Sequence, residues 1–220
     1  MAYKDFIEPV HTSTKRDYLK RVIDYPKAKA SQIAKQFGKD YWDGDRKFGY
    51  GGYFYDGRWK PVAKAIAEHY DLKSGDKVLD IGCGKGFLLF DLLEAVPGLQ
   101  VCGVDISSYA IENAKEEVKP YLSVGNATHL PFKDNSFDLV LSINTLHNLR
   151  TYNLEKGLKE LERVKKKNSY IVMDSFRNEN ERVNLLYWQV TCECFYSIEE
   201  WEWWFKLCNY TGDYSFIYFE

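Results

Sequence analysis

Apolar and polar positions alternate regularly between residues 77 and 175. Five short apolar runs predict buried strands, at residues 77–81, 100–105, 121–126, 137–143 and 170–174. Amphipathic segments lie between most of them, with apolar residues three or four positions apart: Leu88, Leu89, Leu92 and Leu93; Ala110, Ile111, Ala114 and Val118; and Leu154, Leu158, Leu161 and Val164. Strands that alternate with helices in this way predict an α/β fold, with a doubly wound, mostly parallel sheet and right-handed crossovers.

The region before the sheet follows a different pattern. Pro26 separates two short polar helices, predicted around Thr14–Tyr25 and Ala28–Phe37. Residues 41–57 contain five glycines, which exclude a regular element there, and a helix begins again after Arg58. We therefore expect an N-terminal segment that is separate in character from the sheet.

The end of the chain is less regular. Ser197 and Glu200 form a capping box, and the apolar positions after it predict a helix to about residue 208. Residues 214–219 predict a last strand, and residues 191–196 are a candidate for an additional one.

Composition and charge exclude several classes of protein. The 220 residues include 30 Lys and Arg against 32 Asp and Glu. Because positive charge is not in excess, a nucleic-acid coat protein is disfavoured. No apolar run approaches the roughly 20 residues that cross a bilayer, and the first residues lack the apolar core of a secretory signal. The five cysteines are odd in number and irregularly spaced, which favours free thiols, no metal and a cytoplasmic location.

A glycine-rich turn is the strongest candidate for a ligand site. In the run VLDIGCGKG, Asp80 precedes Gly82, Gly84 and Gly86, where the first predicted strand turns into a helix. Glycines there allow a sharp turn and a close approach to a ligand, although a turn that binds nothing has the same pattern. Because the third glycine comes one residue too early for Gly-x-Gly-x-x-Gly, a dinucleotide-binding dehydrogenase is disfavoured.

A second carboxylate stands at the end of the next predicted strand. Asp105 follows Gly82 by 23 residues and is able to accept hydrogen bonds from both hydroxyls of a ribose. The alternative is that Asp105 only caps the following helix.

Taken together, the runs VLDIGCGKG, VCGVDIS, VGNATHLPF and FDLVLSINTLHNL resemble the class I S-adenosylmethionine-dependent methyltransferases over about residues 58–175. The resemblance implies a Rossmann-like methyltransferase fold and S-adenosylmethionine as the cofactor. It also implies that Asp80 and the three glycines surround the methionine part, that Asp105 holds the ribose, and that Ile106 packs on the adenine. Asn126 and Ala127 would reach the adenine edge, although Asn126 stands where the family often has an acidic residue.

Three residues are candidates for work on the methyl acceptor. His147 follows the fourth predicted strand and titrates near neutral pH, so it is the first candidate for a general base. Asn144 is a candidate for orienting the acceptor, and Asp174, at the end of the fifth strand, for facing it. Purely structural roles are the alternatives: a hydrogen-bonded histidine at a helix start, and a carboxylate that caps a helix.

An aromatic and glycine-rich segment is the most individual feature of the sequence. Eight of the nineteen residues from Tyr41 to Trp59 are aromatic and five are glycine, a composition suited to a lid that dries a site. Aromatic faces attract cations such as a sulfonium. We expect Tyr50, Gly52 and Tyr53 near the cofactor and Tyr41 and Trp42 near the acceptor, unless these rings only pack against the domain.

The sequence therefore predicts an N-terminal helical segment and lid over residues 1–57 and a methyltransferase domain over residues 58–220. The expected activity is methyl transfer to a small-molecule acceptor by in-line displacement. A methyltransferase for RNA or protein is the alternative, with the basic run at residues 163–167 as its argument, although that run also suits the solvated end of a helix. A nucleoside-binding protein without turnover stays open as a third class.

Overall fold

The computed structural model describes residues 1–12 and 16–220. Six strands in this part of the chain form one sheet in the order β3-β2-β1-β4-β5-β6, and every neighbouring pair is parallel. The strands are β1 (Lys77–Ile81), β2 (Gln100–Asp105), β3 (Leu122–Val124), β4 (Phe137–Ile143), β5 (Lys165–Asp174) and β6 (Asp213–Ile217). The order of the strands reverses between β1 and β4, and in open sheets ligands bind at the carboxyl ends of strands at this point.

Helices cover both faces of the sheet. They are α1 (Glu8–His11), α2 (Tyr18–Ile23), α3 (Lys27–Ala34), α4 (Lys39–Asp43), α5 (Lys60–His69), α6 (Phe87–Ala95), α7 (Ser108–Glu112), α8 (Thr151–Val164), α9 (Glu179–Trp188) and α10 (Ile198–Leu207). One apolar core joins Leu139 and Leu141 of β4 to α5, α6 and α9, whereas Val140 between them joins α8 and α10 in a second core. This alternation follows from the two-residue period of a strand and confirms the doubly wound α/β fold.

The five predicted central strands and the last strand are confirmed, with shifted boundaries. β3 is shorter than predicted, and α7 ends at Glu112 rather than near residue 118. The basic run is divided between two elements. Arg163 lies in the last turn of α8, as predicted, whereas β5 begins at Lys165, which pairs with Phe137 and whose ammonium binds Glu162 at 2.6 Å.

Three further predictions about elements need correction. Residues 191–196 form no strand, α9 was not predicted, and α4 extends into the segment for which no regular element was expected. Two helices occur where predicted on either side of Pro26, although Thr14, the predicted start of the first, lies outside the described residues.

The last strand runs in the same direction as its neighbour. β6 pairs with β5 from Tyr170↔Asp213 to Asp174↔Ile217, and α10 provides the crossover between them. On the other side of β6, Tyr3 forms a parallel bridge with Tyr214, and the Lys4 amide donates to the Tyr214 carbonyl at 2.9 Å. The first residues of the chain thus extend the edge of the sheet. Among the described residues, no helix has the length and apolar character required to cross a membrane.

Candidate active site

The glycine-rich turn joins β1 to α6 at the reversal point of the sheet. Gly84 has a φ of +53°, and a Cβ there would lie 2.8 Å from Cη2 of Trp42, so any larger residue is both strained and crowded. At Gly82, also in the left-handed region, a Cβ would collide with the side chain of Thr145. Gly86 instead lies against Val118 and Leu122, where it allows close packing of the chain behind the turn.

Asp105 ties the end of β2 to the glycine-rich turn. One carboxylate oxygen accepts from the Gly84 amide at 2.8 Å, and the other accepts from the Ser107 amide at 2.8 Å. The N-cap of α7 is Ser107, whose hydroxyl accepts from the Ala110 amide. Asp105 is therefore not the capping residue of the next helix, and its carboxylate is fixed at the switch point.

Asp80 is buried at the end of β1 with one oxygen unsatisfied. Asp80 is only 4% exposed, and its Oδ1 has no hydrogen-bond partner within the described part of the protein. Burial, and then the nearby charge of Asp105, raises the pKa of Asp80 to about 7. A buried carboxylate without a partner is suited to receiving a cation from a ligand.

Three cavities meet at the carboxyl ends of β1, β2 and β4. The strand-end cavity, about 160 Å³, is lined by Asp105, Ile106, Asn126, Ala127 and residues of β1 and β4, with Tyr41, Trp42 and Tyr50 above them. A smaller glycine-loop cavity of about 50 Å³ is lined by Asp80, Gly82, Gly84 and Tyr53. The arginine cavity, about 330 Å³, lies beyond them and is lined by Arg16, Arg21, Arg46, Arg58, His147 and Asp174, among others.

Asn144 and Tyr50 line all three cavities. Asn144 adopts a left-handed φ of +55° directly after β4, and its amide oxygen is buried without a hydrogen-bond partner among the described residues. The neighbouring Asn148 donates to the Asn144 carbonyl at 3.1 Å, and its own amide oxygen is likewise unsatisfied. Two acceptor oxygens therefore stand where the cavities communicate.

The aromatic segment packs as a cover over the glycine-rich turn. Trp42 and Tyr50 stack with centroids 5.2 Å apart, Tyr50 and Tyr53 lie 4.5 Å apart, and Tyr53 stacks on Phe87 of α6 at 4.9 Å. Trp42 also donates to the Ser107 hydroxyl at 2.9 Å. These contacts bring the predicted lid residues onto the candidate site.

An ion pair with a buried ammonium fastens this cover to the turn. The Lys85 ammonium, from the middle of the glycine motif, lies 2.7 Å from a carboxylate oxygen of Asp43 and 2.8 Å from the Tyr53 carbonyl. The Lys85 side chain is only 8% exposed, and Asp43 also accepts from the Tyr109 hydroxyl at 2.8 Å. Sequence reasoning missed this pair, since 42 residues separate its members.

His147 and Asp174 form a buried pair. The Asp174 amide donates to Nδ1 of His147 at 3.1 Å, which places the ring proton on Nε2, 3.5 Å from Oδ2 of Asp174. Burial lowers the pKa of His147, against the opposing charge of Asp174, so the imidazole is neutral near pH 7. Both ring nitrogens of His147 are directed at Asp174.

Asn126 lines the strand-end cavity with its amide oxygen already engaged. That oxygen accepts from the amide and the hydroxyl of Thr128, each at 2.9 Å. In the residues that the structure covers, no group of three His, Cys, Asp or Glu side chains is arranged to hold a metal ion.

Sequence reasoning also missed Asn148 and the arginines. Asn148 lies inside the run FDLVLSINTLHNL, so its position after the fourth predicted strand was an available signal. The arginines come from separate parts of the chain, and no local pattern marks them.

A doubly wound parallel sheet, with a glycine-rich turn after its first strand and a carboxylate at the end of its second, defines the class of Rossmann-like nucleotide-binding proteins. Residues 72–212 match the methyltransferase domain family. The chain therefore belongs to the class I S-adenosylmethionine-dependent methyltransferase family.

Relatives agree with this membership over part of their length. A demethylmenaquinone methyltransferase of Symbiobacterium thermophilum is 35% identical over 118 residues, which are 50% of this chain and 46% of that protein. An uncharacterized protein of Methanocaldococcus jannaschii is 37% identical over 112 residues, 51% of this chain and 41% of that protein. The chain thus matches less than half the length of these relatives.

Solved structures share the fold. The YcgJ protein of Bacillus subtilis has a TM-score of 0.55 at 22% identity, with 66% of each chain covered. The PH0226 protein of Pyrococcus horikoshii has a TM-score of 0.54 at 24% identity, covering 77% of this chain and 85% of that one.

Proposed function

We propose that this protein is an S-adenosylmethionine-dependent methyltransferase that acts on a small-molecule acceptor. The observation that carries the proposal is the shared position of Asn144 and Tyr50, which line the strand-end cavity, the glycine-loop cavity and the arginine cavity alike. A donor held in the first two would present its methyl group at the junction to an acceptor held in the third.

The residues of the first two cavities fit the cofactor. Asp105 would accept from the ribose hydroxyls, Ile106 and Ala127 would pack on the adenine, and the unsatisfied oxygen of Asp80 would receive the α-ammonium group. When bound, S-adenosylmethionine supplies a methyl group on a positively charged sulfur. Asn126 would reach the adenine through its amide nitrogen rather than its oxygen, since the oxygen is engaged by Thr128.

Under this assignment, two predicted lid residues contact the other ligand than the one expected from the sequence. Trp42 lines the strand-end and glycine-loop cavities but not the arginine cavity, so it belongs to the cofactor rather than to the acceptor. Gly52 lines the arginine cavity and belongs to the acceptor side. Tyr41, Tyr50 and Tyr53 each line a cofactor cavity and the arginine cavity, so these rings would separate and contact both ligands.

The chain would promote transfer mainly by alignment and by exclusion of water. The faces of Tyr50 and Trp42 would surround positive charge at the junction, and the two unsatisfied amide oxygens of Asn144 and Asn148 would orient the acceptor. His147 would act through Asp174, whose carboxylate lies 3.5 Å from Nε2 of His147 and accepts a hydrogen bond from Gln189.

A small acceptor is favoured by the cover over the site. Residues 41–57 supply the cover, within the segment 1–57 that precedes the proposed methyltransferase domain of residues 58–220. The cover is fastened to the glycine-rich turn by Asp43 and Lys85. Several relatives are named demethylmenaquinone methyltransferases, after a small molecule, which supports this class of acceptor without identifying it. A cytoplasmic location stays a prediction from the free cysteines.

Two measurements test the proposal. Calorimetry should detect binding of S-adenosylhomocysteine and no binding of NAD. Binding of NAD alone would favour a dehydrogenase instead. Hydrogen exchange of residues 41–57 should slow when S-adenosylhomocysteine saturates the protein, because a ligand beneath the cover would make its opening less frequent. Unchanged exchange in a saturated sample would instead favour RNA or protein as the acceptor. A metabolite extract incubated with labelled donor would then identify the methylated product.

A further inference from the structure

The arginine cavity has several positively charged side chains in its lining. Four arginines line it, Arg16, Arg21, Arg46 and Arg58, although the chain as a whole carries a formal charge of −2. Arg58 is paired with Asp56 at 2.5 Å, so its charge is compensated outside the cavity lining. Within the described residues, the cavity lining includes a single carboxylate, that of Asp174. Burial raises the pKa of Asp174, whereas the nearby charges of His147 and Arg16 lower it.

The charges of Arg21 and Arg46 are not balanced by carboxylates. Arg21 donates to the main-chain carbonyls of Trp188 and Arg46, at 2.8 Å and 2.6 Å. Arg46 donates to the carbonyls of Gly49 and Tyr50, at 2.8 Å and 3.1 Å. In the part of the chain that the structure covers, neither arginine forms an ion pair with a carboxylate. These carbonyl contacts fix the guanidinium groups but leave their positive charge in place.

Three arginines of the cavity lie around the indole ring of Trp188. The guanidinium carbons of Arg21, Arg46 and Arg16 lie 4.6, 5.2 and 5.6 Å from the centre of the Trp188 ring. Burial, and then the charge of Arg46, lowers the pKa of Arg21 to about 10, a sign that the cations repel each other within the cluster. Like charges held this closely are costly unless a counter-charge arrives, so the cluster is suited to an anionic ligand.

We propose that the methyl acceptor carries a phosphate group, which Arg21 and Arg46 bind at one end of the arginine cavity while the acceptor atom lies beside Asn144 at the other. This inference rests on the proposed methyltransferase function and names the class of its acceptor. Guanidinium groups match phosphate oxygens with paired hydrogen bonds. A dianionic phosphate neutralises two arginines, whereas a carboxylate neutralises one, so the number of uncompensated cations favours phosphate.

The test separates this inference from the proposed function. Inorganic phosphate and pyrophosphate are titrated calorimetrically into the protein saturated with S-adenosylhomocysteine, with acetate as the monoanionic comparison. The variants are Arg21→Gln and Arg46→Gln, together with Arg46→Lys, which keeps the charge but loses the paired geometry. Arg182→Gln is the matched control, because Arg182 lies on α9, where it is near Glu179 at 3.4 Å, and does not line the cavity.

We expect pyrophosphate and phosphate to bind more tightly than acetate, and each Gln variant to weaken pyrophosphate binding at least about tenfold, as for the loss of one charge-assisted hydrogen bond. Arg46→Lys should lie between, and Arg182→Gln should match the wild type. Binding of S-adenosylhomocysteine should stay unchanged in every variant.

Each other result overturns the inference in a distinct way. Equal binding of acetate and phosphate would assign the cluster to carboxylates. Equal pyrophosphate affinity in all variants would place the anion elsewhere. If Arg21→Gln and Arg46→Gln weakened S-adenosylhomocysteine in parallel, the arginines would serve the carboxylate of the cofactor. If the wild-type protein did not bind S-adenosylhomocysteine, that result would instead contradict the proposed function itself.

Discussion

Replacement of Asp80 by asparagine should make the protein more stable at pH 8 and poorer at binding the cofactor product. The carboxyl is buried, and its pKa is raised to about 7, against about 3.9 in an unfolded chain. The folded protein therefore retains a proton that the unfolded chain has released. For such a group the stability contribution is fully present below about pH 4 and is lost as the pH rises to about 7.

The size of the effect follows from the same pKa. One pKa unit corresponds to about 1.36 kcal/mol, so raising the pH from 5.5 through 7 should cost the wild type roughly 2 kcal/mol through Asp80 alone. Asp80→Asn carries no titrating group and should lose nothing through this position. The free energy of unfolding, measured with urea at pH 5.5 and pH 8, should therefore fall about 2 kcal/mol more in the wild type than in the variant.

Binding should change in the opposite direction. The α-ammonium of S-adenosylhomocysteine would supply the partner that Oδ1 of Asp80 lacks, so its affinity for the wild type should increase between pH 5.5 and pH 7.5. Asp80→Asn should bind the ligand more weakly and show little of this pH dependence. Calorimetry at both pH values measures the two effects in the same samples.

Asp138→Asn is a matched control on a neighbouring strand. Asp138 is also buried, but although burial opposes it, hydrogen bonds from the Lys77 amide, Lys167 and Lys166 lower its pKa to about 2. Because its carboxylate stays ionised throughout the range from pH 5.5 to pH 8, this variant should be destabilised equally at both ends. Parallel pH dependences in the wild type and Asp80→Asn would refute the reasoning about Asp80.

Three further substitutions test the site. Asp43→Asn leaves the buried ammonium of Lys85 without its carboxylate and should lower the free energy of unfolding by about 1–3 kcal/mol, whereas the exposed Asp45→Asn should change it little. Gly84→Val should abolish S-adenosylhomocysteine binding while circular dichroism stays native-like. Asp105→Ala should weaken that binding by about 1–3 kcal/mol in calorimetry, and an unchanged affinity would place the ribose elsewhere.

The sheet was predictable because its signals are local. Each central strand is a short apolar run bounded by turn residues, and the glycine-rich turn marks where the first strand ends. Lys165–Lys167 could not be identified as strand, because sheet pairing with β4 overrides their polar character. The direction of β6 was also not encoded locally, since an alternating strand reads the same in parallel and antiparallel pairs.

The candidate site likewise has residues that local sequence patterns predict and residues that only the fold brings together. Asp80, the glycines and Asp105 could be predicted to lie together from one motif and one spacing, because they bracket a single βαβ unit. The pair Lys85–Asp43 and the cluster of Arg21 and Arg46 around Trp188 join positions far apart in sequence. No periodicity reports such contacts, so the features that bear most on the acceptor became visible only in the folded protein.

The role of His147 shows why placement near a site does not determine chemistry. Its position after β4 was predicted, but both ring nitrogens are directed at Asp174. The other imidazole of the arginine cavity, His11, accepts from Arg16 at 3.0 Å and lies 2.9 Å from the Tyr218 carbonyl, and its pKa is lowered to about 4 by burial and by Arg16. In both imidazoles the ring nitrogens are engaged by protein groups, so neither is placed to take a proton from the methyl acceptor. Because the sulfonium donor is already activated, such a site suits an acceptor atom that is nucleophilic without prior loss of a proton, or one whose proton passes to Asp174.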